Sequence, residues 1–479
     1  MTFSITSFLF VGAVFLLFYF IRRRARAYFL LVASIAFIAY LDVHSCIWVL
    51  MTSLIIFGLG HLLQISLEKD TTAARSILLL GIGACVISLF VLKHVARWTF
   101  TDDIFKSLIM PVGFSYYIFQ AIAYLSDIYR KKIKAEDNLL FFLLYMCYFP
   151  KFVSGPIEKP GQLLPQIRNL HKVRMFDDKQ LSIAFADIIY GFFLKVIVAD
   201  RIAMYTPKLL EYPHIFGTQW LFAGMLMYTL QIYCDFAGYS AVAVGVSRVF
   251  GITLTENFHA PYLSPDITTF WRRWHVSLSS WLRDYVYIPL GGNRKGFNRK
   301  LINIMIVFIV CGLWHGAGIS FIIWGLLHGI YSIMDNIFFA KIRKEHGEGL
   351  LGIVVKVLGT VLTFFSVAFA WIFFGAPSTG YALSYIGRML SFSTGGIPLE
   401  TQTLELGVTL MDRNIPVYAL AVFLLDLLLT KTGLPFGQAV QKMPIFTRYT
   451  LEFVIIMAIV LLGVYGPGYN PADYMYMEF

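Results

Sequence analysis

Apolar runs long enough to cross a bilayer recur along this chain, joined by short basic connections, and few architectures can accept that pattern. The first are Phe3–Phe20, Ala27–Leu41, Cys46–Leu63 and Ser76–Leu92, then Ile104–Tyr124 with Pro111-Val-Gly113 inside it. Others are Leu181–Val198, Trp220–Phe250, Ile319–Phe339, Val354–Phe374, Ile415–Leu429 and Leu451–Val464. A run of about 20 apolar residues matches the hydrocarbon thickness of a membrane. Backbone in lipid must satisfy its own hydrogen bonds, so helices are the expected form. The pattern predicts an all-α integral membrane protein of roughly 11–13 transmembrane or re-entrant helices.

Composition agrees. Hydrophobic residues make up 58% and charged residues 14%, where soluble domains carry about 25% charged residues; mean hydropathy is +0.70. No Ser- or Pro-rich linker separates the runs. One polytopic membrane domain over 1–479 is therefore expected, with N-terminal spans (1–103), a core (104–376) and a C-terminal loop, spans and aromatic tail (377–479). The net charge of +11 would suit nucleic acid, but the Lys and Arg residues cluster between apolar runs, as in cytoplasmic loops. No nucleic-acid partner is expected.

The first run has no basic residue ahead of it, and Arg22, Arg23, Arg24 and Arg26 behind it, the reverse of a signal peptide. With the N-terminus outside, these arginines share a side with Lys69, Arg75, Arg130, Lys131, Lys132 and Lys134, against Lys93 and Arg97 opposite. That bias predicts a multi-pass plasma-membrane protein with its N-terminus outside. The five cysteines show no CxxC spacing; buried thiols are expected, and no metal site.

Regularity fails in the middle. Leu139–Val153 is short for a span and runs into Ser154-Gly-Pro156-Ile-Glu158-Lys-Pro160. Such backbone survives at membrane depth only where it is buried in protein or lines a wet cavity, so re-entrant segments are expected.

The densest chemistry lies between Phe270 and Gly329. Trp271, Trp274, Leu278, Trp281 and Tyr285 repeat at helical spacing, with Arg272, Arg273, Arg283 and Asp284 off that stripe. This predicts an interfacial helix with Trp at headgroup depth. Beyond a turn at Pro289–Asn293 and a basic loop, Arg294–Lys300, an apolar run ends at His315 among Gly312, Gly316 and Gly318. A buried neutral imidazole can take a proton from a hydroxyl attacking an acyl carbon, while the glycines admit an acyl chain to the backbone. A histidine bonded to a carbonyl between packed helices explains the same residue.

His275 can orient His315 or polarise a carbonyl, or be an ordinary interfacial histidine. On one continuous helix His328 would lie about 20 Å from His315, and a packing role is expected for it. Asp235, central in an apolar run, needs a cationic partner, for which Arg272, Arg273 and Arg283 are candidates. Arg294 and Lys295 suit the phosphates of a nucleotide-linked donor, or equally a positive-inside anchor. Ser277, Ser279 and Ser280 lack a nucleophile-elbow setting.

The stretch FWRRWHVSLSSWLRDYVYIPLGGNRKG followed by GLWHGAGISFIIWGLLHG resembles the membrane-bound O-acyltransferase family, in its bacterial alginate and peptidoglycan O-acetyltransferase branch. Met110–Arg130, Tyr148–Pro160 and Gln231–Ser240 carry the resemblance further. It implies helices curved around a central tunnel, His315 as the essential intramembrane histidine and His275 as the second histidine of this branch. Asp235, Tyr239, Trp314, Arg283 and Phe479 are the expected substrate contacts. The ending Tyr474-Met-Tyr476-Met-Glu-Phe479 is similar to a tail whose tyrosine, here Tyr476, is thought to relay the acyl group; a run of interfacial aromatics is the alternative. One departure is Gly375, where the branch usually has arginine.

The resemblance implies transfer of an acetyl group from a cytoplasmic donor, acetyl-CoA in the simplest case, toward an envelope polysaccharide or peptidoglycan hydroxyl. An extracytoplasmic SGNH (serine hydrolase-like) acetyltransferase would be the partner, and no bound cofactor is expected. The alternatives are D-alanyl transfer to teichoic acid from a carrier protein, and a non-enzymatic glycan exporter.

Overall fold

The computed structural model describes residues 5–95, 111–174, 177–345, 349–408 and 412–464. Among these every regular element is helical, and nine helices are long and apolar enough to cross a bilayer. They include Val43–Lys69, Phe297–His315 and Gly349–Gly375, beside the shorter Ile5–Phe20 and the 32-residue Thr218–Val249. Their outer faces leave Leu80, Ile319, Leu350, Leu358 and Val460 more than half exposed. Apolar surface on that scale requires lipid. The chain is an all-α, multi-pass membrane protein. All five cysteines are buried and outside any disulfide.

The chain divides into two compact units, one holding the described residues of Met1–Ile188 and Tyr239–Glu256, the other those of Ile189–Gly238 and Asn257–Tyr469. In the first, Asp42 caps the Val43–Lys69 helix by accepting from the Ser45 N–H at 2.7 Å, and Asp70 caps the next from Thr72 N–H at 2.8 Å. Each carboxylate satisfies donors that the first helical turn leaves open.

The expected break after Leu139 is present: one helix stops at Cys147 and a single turn, Phe149–Phe152, follows. Polar side chains around it are matched inside the protein at two points. Lys151 Nζ donates to Gln120 Oε1 at 2.8 Å, and the Tyr145 hydroxyl donates to the Glu158 carbonyl at 3.0 Å.

In the second unit the Phe297–His315 and Ile319–Met334 helices form an antiparallel hairpin. A Cβ on Gly312 would run into the Phe321 carbonyl, and one on Gly325 into the Phe308 carbonyl. Small residues let membrane helices approach backbone to backbone. Gly312, one of the three glycines expected to admit an acyl chain, is thus taken up by helix packing, and Gly316 lies against the Phe321 ring.

Candidate active site

The stripe from Trp271 to Tyr285 does not form one interfacial helix. The chain makes two short helices, Ile267–Arg273 and Val276–Leu282, broken at Trp274-His275, with Trp274 and Trp281 buried. His275 sits at φ 44°, ψ 55°, a left-handed conformation that a residue with a Cβ adopts at a cost. Asn257 holds it there: its carbonyl accepts from Val276 N–H at 3.1 Å and its Oδ1 from Ser277 N–H at 3.0 Å. The preceding helix is tied down by Thr268, which donates to Asp335 at 2.9 Å, and by Arg343, 2.7 Å from the same carboxylate.

The kink turns the His275 ring inward, against Phe236 (ring centroids 4.6 Å apart) and Trp314 (6.2 Å). His315, the last residue of its helix, meets the other neighbours of this niche: Trp314 at 4.7 Å, Trp324 at 5.0 Å and Phe374 at 5.0 Å. Both histidines are buried, 1% and 2% exposed, and they flank the same indole. Trp371 closes the cluster, 5.1 Å from Trp274 and 5.6 Å from Trp324.

Burial pushes the His275 imidazole from its ordinary 6.5 down to about 3, so it is neutral at physiological pH. Between about pH 3 and 6.5 the unfolded chain would take a proton here that the folded chain refuses. This contribution is therefore fully present above pH 6.5 and lost as the pH falls through that window. Melting of the detergent-solubilised protein followed from pH 7 to 4 should show His275→Gln losing less stability than the parent; parallel curves would refute it.

Asp235 has a different partner from the arginines expected. Lys195 Nζ lies 2.6 Å from Asp235 and 2.7 Å from Asp200, all three nearly fully buried. Lys195 belongs to a π-helical stretch, Phe193–Ala199, an insertion in the helical ladder that re-aims a side chain. Gly238 lets the helices close, because a Cβ there would lie 2.7 Å from the Gly191 carbonyl. Arg283 pairs with its neighbour Asp284 at 2.8 Å and is largely exposed, while Arg273 donates to the Leu263 carbonyl at 3.3 Å.

Arg294 and Lys295 are exposed. Tyr239 belongs to the first unit, where its hydroxyl accepts from Ser154 N–H at 3.4 Å. Tyr476 and Phe479 lie outside the described residues. At Gly375 a Cβ would strike the Tyr228 ring, which leaves no room for the arginine that the branch usually has there.

His328, expected only to pack, is part of the niche. The turn after His315 folds the next helix back, so the 20 Å of a continuous helix never arises, and His328 stands 4.9 Å from Trp324 and 6.2 Å from Trp371. The signal was the four-residue spacing of Trp324 and His328, repeated by Gly325 and Gly329, which puts each pair on one helix face.

Residues 129–349 match the model of the membrane-bound O-acyltransferase family. The chain is 35% identical to a probable alginate O-acetylase of Pseudomonas fluorescens, covering 82% of this chain and 76% of that one. It is 31% identical to the peptidoglycan O-acetyltransferase of Helicobacter pylori, covering 76% and 73%. Against the teichoic acid D-alanyltransferase of Bacillus subtilis it is 31% identical over 57% and 70%.

Proposed function

Because this chain belongs to the membrane-bound O-acyltransferase family and is an O-acyltransferase of the membrane, we propose that it passes an acetyl group from cytoplasmic acetyl-CoA toward a hydroxyl of an envelope polysaccharide or peptidoglycan. The observation that carries the reading is the burial of His315 and His275 against the same Trp314 ring. As the acceptor oxygen bonds to the acyl carbon, its proton passes to His315. The tetrahedral adduct then expels the thiolate, which takes that proton back, giving ester and free thiol. His275, neutral and fixed by its backbone turn, positions the acyl group.

Lys300, at the basic end of the Phe297–His315 helix, is about 22 Å along the axis from His315, against a hydrocarbon core of about 30 Å. That length suits chemistry well inside the membrane. Arg294 and Lys295 meet the donor phosphates. Tyr476 carries the acetyl group onward as its phenolic ester, and an extracytoplasmic SGNH-type acetyltransferase delivers it. Alginate and peptidoglycan are the acceptors named for the two O-acetylating relatives, which supports a polymer of that kind here.

The reading is tested with purified protein in liposomes and acetyl-CoA labelled in the acetyl group. Thiol release above protein-free liposomes, with label appearing as an ester, is expected. Passage of labelled glycan without thioester consumption would mean an exporter. Consumption only of a carrier-bound D-alanyl thioester would make D-alanine the acyl group.

A further inference from the structure

The Ile319–Met334 helix brings to the histidine niche two polar hydrogens that nothing in the described protein accepts. Trp324 Nε1 and His328 Nε2 are fully buried, at 0% exposure, and neither has a hydrogen-bond partner among the described residues. The His328 tautomer is fixed by its other nitrogen, since Nδ1 accepts from Trp271 Nε1 at 3.3 Å. A neutral imidazole that accepts at Nδ1 carries its proton at Nε2, so that atom is a donor.

Buried donors are seldom left unmatched, and each exception calls for an explanation. Packing does not supply one. A phenylalanine at either position would fill aromatic space without stranding an N–H. The two donors stand one helical turn apart on one face, their rings 4.9 Å apart, and Trp324 is also 5.0 Å from the His315 ring. Two orphan donors beside a candidate base are what a developing oxyanion needs: preorganised, water-excluded and uncharged.

We propose that Trp324 Nε1–H and His328 Nε2–H receive the acyl carbonyl oxygen as it takes up negative charge, which makes both catalytic residues. The assignment rests on the acyl-transfer reading above. When the acceptor oxygen bonds to the acyl carbon, the carbonyl π pair moves onto its oxygen and the two N–H groups donate to it. Neither gives up its proton. Collapse restores the carbonyl and breaks the carbon–sulfur bond, and the leaving thiolate takes the proton held by His315. Trp271 is then a positioning residue, holding the tautomer.

The test uses the full chain in liposomes, acetyl-CoA as donor, glycerol as hydroxyl acceptor and thiol release as readout. Trp324→Phe keeps the ring and loses the donor; kcat should fall about 100-fold with KM within about threefold. His328→Leu should do the same, while His328→Gln, whose amide can both accept from Trp271 and donate, should keep kcat within about tenfold of the parent. Melting temperatures, measured alongside, should stay close to the parent for Trp324→Phe. Turnover within about threefold of the parent in Trp324→Phe, equal losses in His328→Gln and His328→Leu, or losses that follow the melting temperature would each overturn the assignment. His315→Asn separates the two readings. A parent activity abolished by His315→Asn but untouched by Trp324→Phe removes the donor role alone, whereas a parent no faster than protein-free liposomes removes both.

Discussion

Acyl transfer should fall by about 10²–10⁴-fold when His315 is replaced by asparagine, the range that a positioned general base contributes. Asparagine keeps polarity and part of the volume among Trp314, Trp324 and Phe374, but it cannot take a proton and return it. Alanine would remove the base too, yet it would also open a void in a packed aromatic wall and mix a stability loss into the result. Steady-state thiol release should therefore be read beside protein level and melting temperature. An asparagine variant that is normally folded and retains even a third of parental turnover would end the assignment of His315 as base.

The largest loss of stability should come from Lys195→Met. One ammonium stands 2.6 Å and 2.7 Å from two carboxylates, and none of the three side chains is more than 9% exposed. Methionine matches the length of the lysine stem, so the change removes charge more than packing. Deleting one member of a buried ion pair strands its partners and costs about 3–5 kcal/mol. A pronounced drop in melting temperature is expected, and Lys195→Met with Asp235→Leu should recover part of it because fewer charges remain unmatched. If the single variant melts with the parent, the cluster carries no such stabilisation. Asp235 is an ion-pair residue first, and contact with substrate would have to be shared with that duty.

Much of the architecture was legible because lipid imposes a blunt rule: long apolar runs must be helices, and the break at Tyr148–Pro160 must be matched by protein. Partners across helices were not legible. Asp235 plainly needed a cation, but the choice of Lys195 over three arginines depends on a π-helical stretch that periodicity does not reveal. The stripe through Trp271, Trp274, Leu278 and Trp281 read as one helix because its spacing is helical on both sides of the kink. The interruption at His275 depends on Asn257, which is distant in sequence and gives no local signal. The separation of His328 from His315 was misjudged by extending a helix through Gly316 and Gly318. The close backbone approach at Gly312 and Gly325, together with the four-residue Trp324–His328 spacing, held the correction.

The glycine-sealed hairpin also bears on the order in which the protein is made. Contacts between Gly312 and Phe321, and between Phe308 and Gly325, join neighbouring segments, so the pair can close as soon as its second helix leaves the ribosome. Trp371 and Phe374, which complete the wall around His315, are synthesised later, on Gly349–Gly375. The emerging chain thus carries a histidine niche with one side open, and its interior is sealed only when that later helix docks. A nascent chain stopped before Gly349 should hold the hairpin register without a closed niche.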